Sequence, residues 1–314
     1  MKLKLIFNPR SGRERRNAGI LPLLRDYVSR TGNGTDLVCT EGPGHATELA
    51  RAAVADGYGR VVAVGGDGTL NEVAQALVHA PAVLGLVPCG SGNGLALHLG
   101  LPKAIPEALE LAVAPGARVA ELDTGLLNGL LFVNAMGLGL DADVARRFNG
   151  LTKRGLPAYA WTALAAFVGR RTERCRITCG SRKEAIDVLL VAVANSDQYG
   201  NNARIAPHAR VDDGVLDLVA VRPVGLLGAV RLGARLFLGS VDQSPSVLRI
   251  NGPRFLIERD AAGVVHTDGE THMAAAELEV KVQPRSLRMV VPAGCTVLAR
   301  TSVGSRPGFA LQIP

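Results

Sequence analysis

Two acidic side chains separated by one glycine, Asp268 and Glu270 in His266-Thr267-Asp268-Gly269-Glu270, form the sharpest pair of ionisable groups in the sequence. A carboxylate placed beside a hydroxyl can take its proton as the oxygen attacks, a contribution of about 10²–10⁴-fold in rate. If the segment is extended, side chains two apart share a face, and both carboxylates would meet one ligand. Asp-Gly is equally an ordinary turn signal. The pair therefore gains its meaning from what accompanies it.

Three glycine-containing turns accompany it. In VVAVGGDGTLNEV, residues 61–73, an apolar run enters Gly65-Gly66-Asp67-Gly68 and a helix begins at Thr69 or Leu70. Glycine lets a backbone turn sharply and approach a ligand, and a helix N-terminus offers free N–H groups to an anion such as phosphate. No Gly-Lys-Ser/Thr follows, so this is not a Walker A loop. Pro88-Cys89-Gly90-Ser91-Gly92-Asn93-Gly94 ends a second apolar run in the same way, and Asn8-Pro9-Arg10-Ser11-Gly12 ends a third. One such turn is weak evidence. Three on neighbouring strands predict a nucleotide cleft.

The elements that must position these turns alternate. Leu3–Phe7, 36–40, 60–64 and 83–87 read as short apolar strands. Between them, Ile20, Leu24, Tyr27 and Val28, then Leu49, Ala50, Ala53 and Val54, then Leu70, Val73, Ala74 and Leu77 recur at helical spacing, and a further helical stretch starts at Asn93. Apolar strands alternating with helices predict an α/β domain whose parallel sheet is covered on both faces, with ligands beyond the carboxyl ends of the strands. After Pro115-Gly116 the pattern changes to short runs such as 130–135, 188–194, Leu216–Val221 and 278–282, with helices near 157–170 and 224–238. This predicts a mainly antiparallel β domain. The expected division is residues 1–117 and 118–290, with a tail of about 290–314 that could return to the first domain.

Composition bounds the partners. The chain has 314 residues, 47% of them hydrophobic, and a net charge of +7 in which only six of the 35 basic residues are lysine. Aromatics are 4% and are not interleaved with arginine, which argues against nucleic acid as a partner. Cys39, Cys89, Cys175, Cys179 and Cys295 show no CxxC pair, and the six histidines show no metal-ligand spacing. A reduced, cytoplasmic protein is expected. The apolar stretches 156–168 and 224–238 are too short or too interrupted to span a bilayer, so the chain is expected to be soluble or peripheral, binding anionic membranes weakly. Arg10, Arg13, Arg15 and Arg16 suit phosphates or headgroups, or a solvated helix start. In 224–238, Leu226, Leu227, Val230, Phe237 and Leu238 make an apolar face beside Arg231 and Arg235. Burial of that face, with the arginines reaching out to solvent, is the preferred reading over docking on a bilayer.

Asn8 to Gly12, Gly65 to Glu72 and Pro88 to Asn93 resemble, as a set, the ATP-site motifs of the diacylglycerol kinase catalytic family, which includes sphingosine and ceramide kinases and soluble bacterial lipid kinases. Gly139-Leu140-Asp141-Ala142, the span from Asn195 to Pro207, Asp213-Gly214-Val215-Leu216-Asp217 and Asp268-Gly269-Glu270 continue the resemblance in order along nearly the whole chain. The resemblance implies a nucleotide domain of the phosphofructokinase and NAD kinase type, joined to a β-sandwich lipid-substrate domain. It implies an ATP-dependent kinase that phosphorylates a lipid hydroxyl, of diacylglycerol or a sphingoid-type lipid. Asn8, Pro9, Arg10, Ser11, Gly12, Thr40, Gly65, Gly66, Asp67, Gly68, Thr69, Leu70, Asn71, Glu72 and Ser91 would line the ATP. Glu270 or Asp268 would act as base, with Glu270 the first choice. Asp213, with main-chain oxygens of Arg210 and Val215, would hold Mg²⁺. A homodimer is compatible with the sequence.

Two departures stand out. Ser91 and Gly94 replace the family's common Thr and Asp, a sphingosine kinase-like variation. Gly200-Asn201-Asn202 replaces a glycine run, with no reason legible in the sequence. The rivals are an NAD kinase-like or other small-molecule kinase, which also uses Gly-Gly-Asp-Gly, and a non-catalytic nucleotide- or lipid-binding protein.

Overall fold

In β1 (Leu3–Phe7), β3 (Arg60–Gly65) and β4 (Val83–Pro88) nearly every side chain is buried, because helices cover both faces of the sheet they form. Leu5, Phe7, Val62 and Val64 pack on α1 (Ile20–Thr31) and α5 (Ile105–Val113). The alternate residues Ile6, Val61 and Ala63 pack against α2 (His45–Ala55), α3 (Asp67–Leu77) and α4 (Gly94–His98). The computed structural model describes residues 1–12, 19–32, 34–149, 162, 165–167, 169, 172–296 and 298. Arg13, Arg15 and Arg16, most of the helix expected at 157–170 and most of the tail lie outside them.

With β2 (Thr35–Cys39) the parallel order is β2-β1-β3-β4. The sheet does not stop there. After β5 (Val119–Leu127), β6 (Leu130–Phe132), β7 (Ala135–Gly139), α6 (Leu140–Asn149), β8 (Glu173–Cys179), β9 (Arg182–Val188), β10 (Leu190–Ala194), β11 (Leu216–Val221), α7 (Leu226–Leu238), β12 (Val247–Gly252), β13 (Arg254–Arg259), β14 (Gly263–Thr267) and β15 (Glu270–Ala274), the chain forms the 14-residue β16 (Glu277–Val290). β16 lies parallel to β4 at Met289, opposite Leu84, and antiparallel to β5 and β13. It thereby extends the first sheet to ten strands, with β13, β8 and β9 beyond it.

The second sheet, in the order β12-β11-β10-β7-β14-β15, is antiparallel. It packs face to face on the far half of the first through Leu138, Val191, Leu218 and Val265 against Ile177, Phe255, Ile257 and Val280. The architecture is thus α/β, with a mostly parallel N-terminal sheet and a separate antiparallel sheet.

Candidate active site

The glycine turns meet at the carboxyl edge of β1, β3 and β4 and are locked to one another. Asn8 Nδ2 donates to Thr69 Oγ1 at 3.0 Å, Asn8 Oδ1 accepts from Arg10 N at 2.9 Å, and Gly66 N donates to Ser11 Oγ at 3.3 Å. Thr40, buried, joins the same edge by donating its N–H to Phe7 O. Three glycines are consumed by this close packing: a Cβ on Gly65 would collide with Thr69, one on Gly90 would stand 2.5 Å from Gly66 Cα, and one on Gly92 would meet Asp67 Oδ2 at 2.9 Å. Leu70 is a core residue whose side chain faces away from this edge into the helix–sheet interior. Pro9, Arg10 and Ser91 are exposed at the rim.

Two acidic residues of α3 serve its neighbours. Asp67 accepts from Asn93 N at 2.8 Å and Gly94 N at 2.9 Å, holding the start of α4. Burial pushes its carboxyl up to about 6, although those two donors oppose the shift. Glu72 accepts from Gly44 N and Ala46 N, both at 3.0 Å, holding the start of α2. α3 itself begins after Gly66 with no side-chain cap. Its first-turn N–H groups are the ones left facing the crevice, an arrangement suited to an anion.

Across the crevice stands the apex of the β14–β15 hairpin. Of the two conformations open to Asp268-Gly269-Glu270, extended strand and Asp-Gly turn, the turn is what forms. Asp268 (φ +50°) and Gly269 (φ +87°) are the two central residues of a tight hairpin turn between paired Thr267 and Glu270. The turn sends the two carboxylates apart. Asp268 is turned inward, where Oδ1 accepts from Asn134 N and Ala135 N, and Oδ2 from Val133 N and Asn71 Nδ2, at 2.7–3.0 Å. Four donors fill the lone pairs of one carboxylate. Asp268 therefore fastens the hairpin to α3 and to the β6–β7 connection.

Glu270 stays at the surface, and among the described residues its carboxylate has neither a hydrogen bond nor an ion pair. Its pKa is raised, first by crowding in the crevice, then by the charges of Glu72 and Asp268. Gly68 faces it directly: a Cβ there would lie 3.3 Å from Glu270 Oε1. Beside Glu270 opens a crevice of about 290 Å³, lined by Asn71, Gln75, Leu131, Thr267, His272 and Gln283 among others.

Asp213 is not part of this network. It sits in the 210–215 segment, where its Oδ1 accepts from Val215 N at 3.2 Å. Partial burial raises its pKa, and the charges of Asp217, Asp123 and Asp212 add to the rise. Asp123 ties the segment down by accepting from Gly214 N and Arg285 N, both at 2.7 Å. Among the described residues no three His, Cys, Asp or Glu side chains converge as a metal cage. One carboxylate, main-chain oxygens and water remain the donor set, which is the set that Mg²⁺ accepts. The surplus negative charge also fits a cation.

Sequence reasoning marked Asn195, Asp141 and His266 as parts of motifs and gave the interior of the site no role. Asn195 Nδ2 donates to Asp123 O and Val133 O, and Asn134 Nδ2 donates to Gln198 O. Tyr199 Oη donates to Asp141 Oδ2 at 2.6 Å, and that oxygen lies 3.0 Å from His266 Nε2. His98 and His266 are core residues, each against a carboxylate. The Gly200-Asn201-Asn202 departure now has a cause. All three residues have positive φ, and a Cβ on Gly200 would strike the Gly92 backbone at 2.9 Å. Glycine is required at 200, whereas asparagine tolerates the left-handed region at 201 and 202.

Residues 2–124 match the diacylglycerol kinase catalytic domain, and residues 134–291 match the YegS C-terminal NAD kinase beta sandwich-like domain. The chain is 30% identical over 293 residues to a protein of Pseudomonas savastanoi pv. phaseolicola named probable lipid kinase YegS-like, covering 90% of this chain and 93% of that one. It is 27% identical over 276 residues to a protein of Bacillus subtilis named diacylglycerol kinase, covering 86% and 89%. Among solved structures, a diacylglycerol kinase from Bacillus anthracis has the same fold, with a TM-score of 0.72 at 21% identity over 94% of this chain and 98% of the other.

Proposed function

Since the chain belongs to the diacylglycerol kinase catalytic-domain family and is a lipid kinase, we propose that it transfers the γ-phosphate of ATP to the hydroxyl of a diacylglycerol or sphingoid-type membrane lipid. The reading rests on one observation above the others: the carboxylate of Glu270, unpartnered and raised in pKa, faces Gly68 at the uncapped start of α3.

In this reading the N–H groups at the start of α3 and the Asn8–Gly12 turn receive the nucleotide phosphates. The glycine packing and the Asp67 cap keep those turns rigid, so little reorganisation is needed as charge develops. The acceptor hydroxyl approaches from the crevice beside Glu270, which accepts its proton as the oxygen attacks phosphorus. Asp268, with its lone pairs filled, holds the hairpin and hence Glu270 in place. A raised pKa makes Glu270 a stronger base once ionised. Mg²⁺ held by Asp213 and main-chain oxygens of Arg210 and Val215 would supply charge neutralisation for phosphate groups and order to the 210–215 segment.

The test is incubation of the purified protein with labelled ATP and Mg²⁺ against diacylglycerol, monoacylglycerol, sphingoid base, ceramide and undecaprenol, with NAD⁺ as a control acceptor. Label in one lipid is expected. Label in NAD⁺, or in no acceptor, would overturn the reading.

A further inference from the structure

α7 is turned inside out. Ala229, Leu232 and Leu236, at the i, i+3, i+7 spacing of a packed face, lie toward the second sheet and touch its core. The opposite stripe carries Leu226, Leu227, Val230, Phe237 and Leu238, exposed by 46–78%. No residue of the helix is buried. Of nine large apolar side chains exposed among the described residues, five are on this one helix, so the exposure is a patch and not scatter. The burial expected from sequence fails because the helix packs through Ala229, Leu232 and Leu236 instead.

The charges on the helix itself are of one sign. Arg231 lies at the edge of the exposed stripe, Arg235 flanks it while donating to Ser240 O at 3.0 Å, Arg222 precedes the helix, and no acidic residue occurs in the helix. A second copy docking face to face would set these arginines against their own counterparts. A surface that accepts aliphatic and aromatic groups and also carries negative charge at its boundary satisfies both features. The helix spans roughly 20 Å, enough to lie flat in such a surface.

We infer that α7 is the element that seats the protein on an anionic lipid bilayer, its outer stripe among the acyl chains and its arginines at the headgroups. This rests on the lipid-kinase reading for its purpose, but its evidence is separate. The docked helix is one segment away from the cleft. Arg204 N donates to Leu236 O at 2.8 Å, and Asn201 N in the same segment donates to Gly92 O at 3.1 Å, on the glycine turn.

The experiment compares wild type, Leu227→Asn/Leu238→Asn and Arg231→Gln/Arg235→Gln by co-sedimentation with vesicles of phosphatidylcholine alone or equimolar with phosphatidylglycerol. Thermal unfolding, size in solution and kinase activity are measured alongside, the last on a monodisperse short-chain acceptor and on the same acceptor type in vesicles. Wild type should bind anionic vesicles. The apolar double variant should lose at least about tenfold in vesicle affinity and in activity on vesicles. It should keep its melting temperature and its activity on the short-chain acceptor. The arginine variant should lose binding mainly at low salt. Unchanged vesicle binding in the apolar variant would overturn the inference. So would a lowered melting temperature, which would mean the chain covers its own helix, or a dimer lost without any vesicle effect. If docking is lost in the variant but no lipid is phosphorylated by wild type, the docking stands and the kinase reading falls. If vesicle lipid is phosphorylated equally by both, the reverse holds.

Discussion

At the cleft and on the outer face of α7, groups that elsewhere find partners within the chain are left without them, and the two cases differ in kind. In the cleft the exception is one carboxylate. Among the described residues, Asp67, Glu72 and Asp268 each have both oxygens engaged, whereas neither oxygen of Glu270 is. On α7 the exception is a whole stripe of apolar surface. A single unpaired ionisable group within a saturated network calls for one small polar ligand at one point. A stripe without such a group calls for an extended apolar surface and tolerates sliding. The spacing of the packed residues does not separate the cases: α3 buries Leu70, Val73 and Leu77 at the same intervals at which α7 packs Ala229, Leu232 and Leu236. The difference is that α7 carries a second apolar stripe, which it does not pack.

The contrast breaks first at Glu270. Glu270→Gln should lower turnover by about 10²-fold or more, leave nucleotide affinity nearly unchanged and leave the melting temperature where it is. A melting temperature that drops with activity would place Glu270 with the saturated carboxylates. The same variant should lose the acid limb of the pH–rate profile. The base works ionised, so activity in wild type rises with pH through a pKa displaced above the ordinary 4.5. An inflection that persists in Glu270→Gln would assign the limb to another group.

Packing separates the helices next. Leu70→Ala should cost about 2–5 kcal/mol of stability by opening a cavity under α3, whereas Leu227→Ala should stay within about 0.5 kcal/mol. Denaturant melts of both variants decide it, and a comparable loss at Leu227 would mean that the α7 stripe is covered. A smaller effect is expected at Asp268→Asn. An amide cannot accept from all four donors, so about 1–3 kcal/mol of stability should go. Activity should fall through displacement of Glu270 and without the acid limb changing position. If Asp268→Asn abolishes that limb while Glu270→Gln retains it, the two carboxylates exchange roles.

The parallel half was legible because β1, β3 and β4 are buried on both faces and each strand is followed by its own helix, which leaves an unbroken local signature in residues 1–100. The glycine turns were legible for the same reason. What escaped was made by pairings far apart in sequence. Asp268 bonds residues 133–135 and Asn71, at separations of 133 to 197 positions. No window around Asp268 shows those donors, so an Asp-Gly turn and an extended strand looked alike. The Asp123 anchor and the Tyr199–Asp141–His266 contacts are likewise long-range. The outward stripe of α7 was visible as a stripe. Its direction was not, because amphipathicity records that two faces differ and not which one meets the protein.

β16 sets the order in which the molecule can be completed. Its last residues lie beside β4, and its earlier ones between β5 and β13. During synthesis β1 to β4 emerge early and can pair at once, but the edge of β4 stays open until nearly two hundred further residues have left the ribosome. Contacts of such long sequence separation form slowly. For that interval an almost wholly apolar strand presents unpaired N–H and C=O groups to its surroundings, a template for association between chains. Closure by β16 also ties the nucleotide half to the sandwich in one cooperative step, so a chain cut before residue 277 would lose the seal on its first-made sheet as well as its last strand.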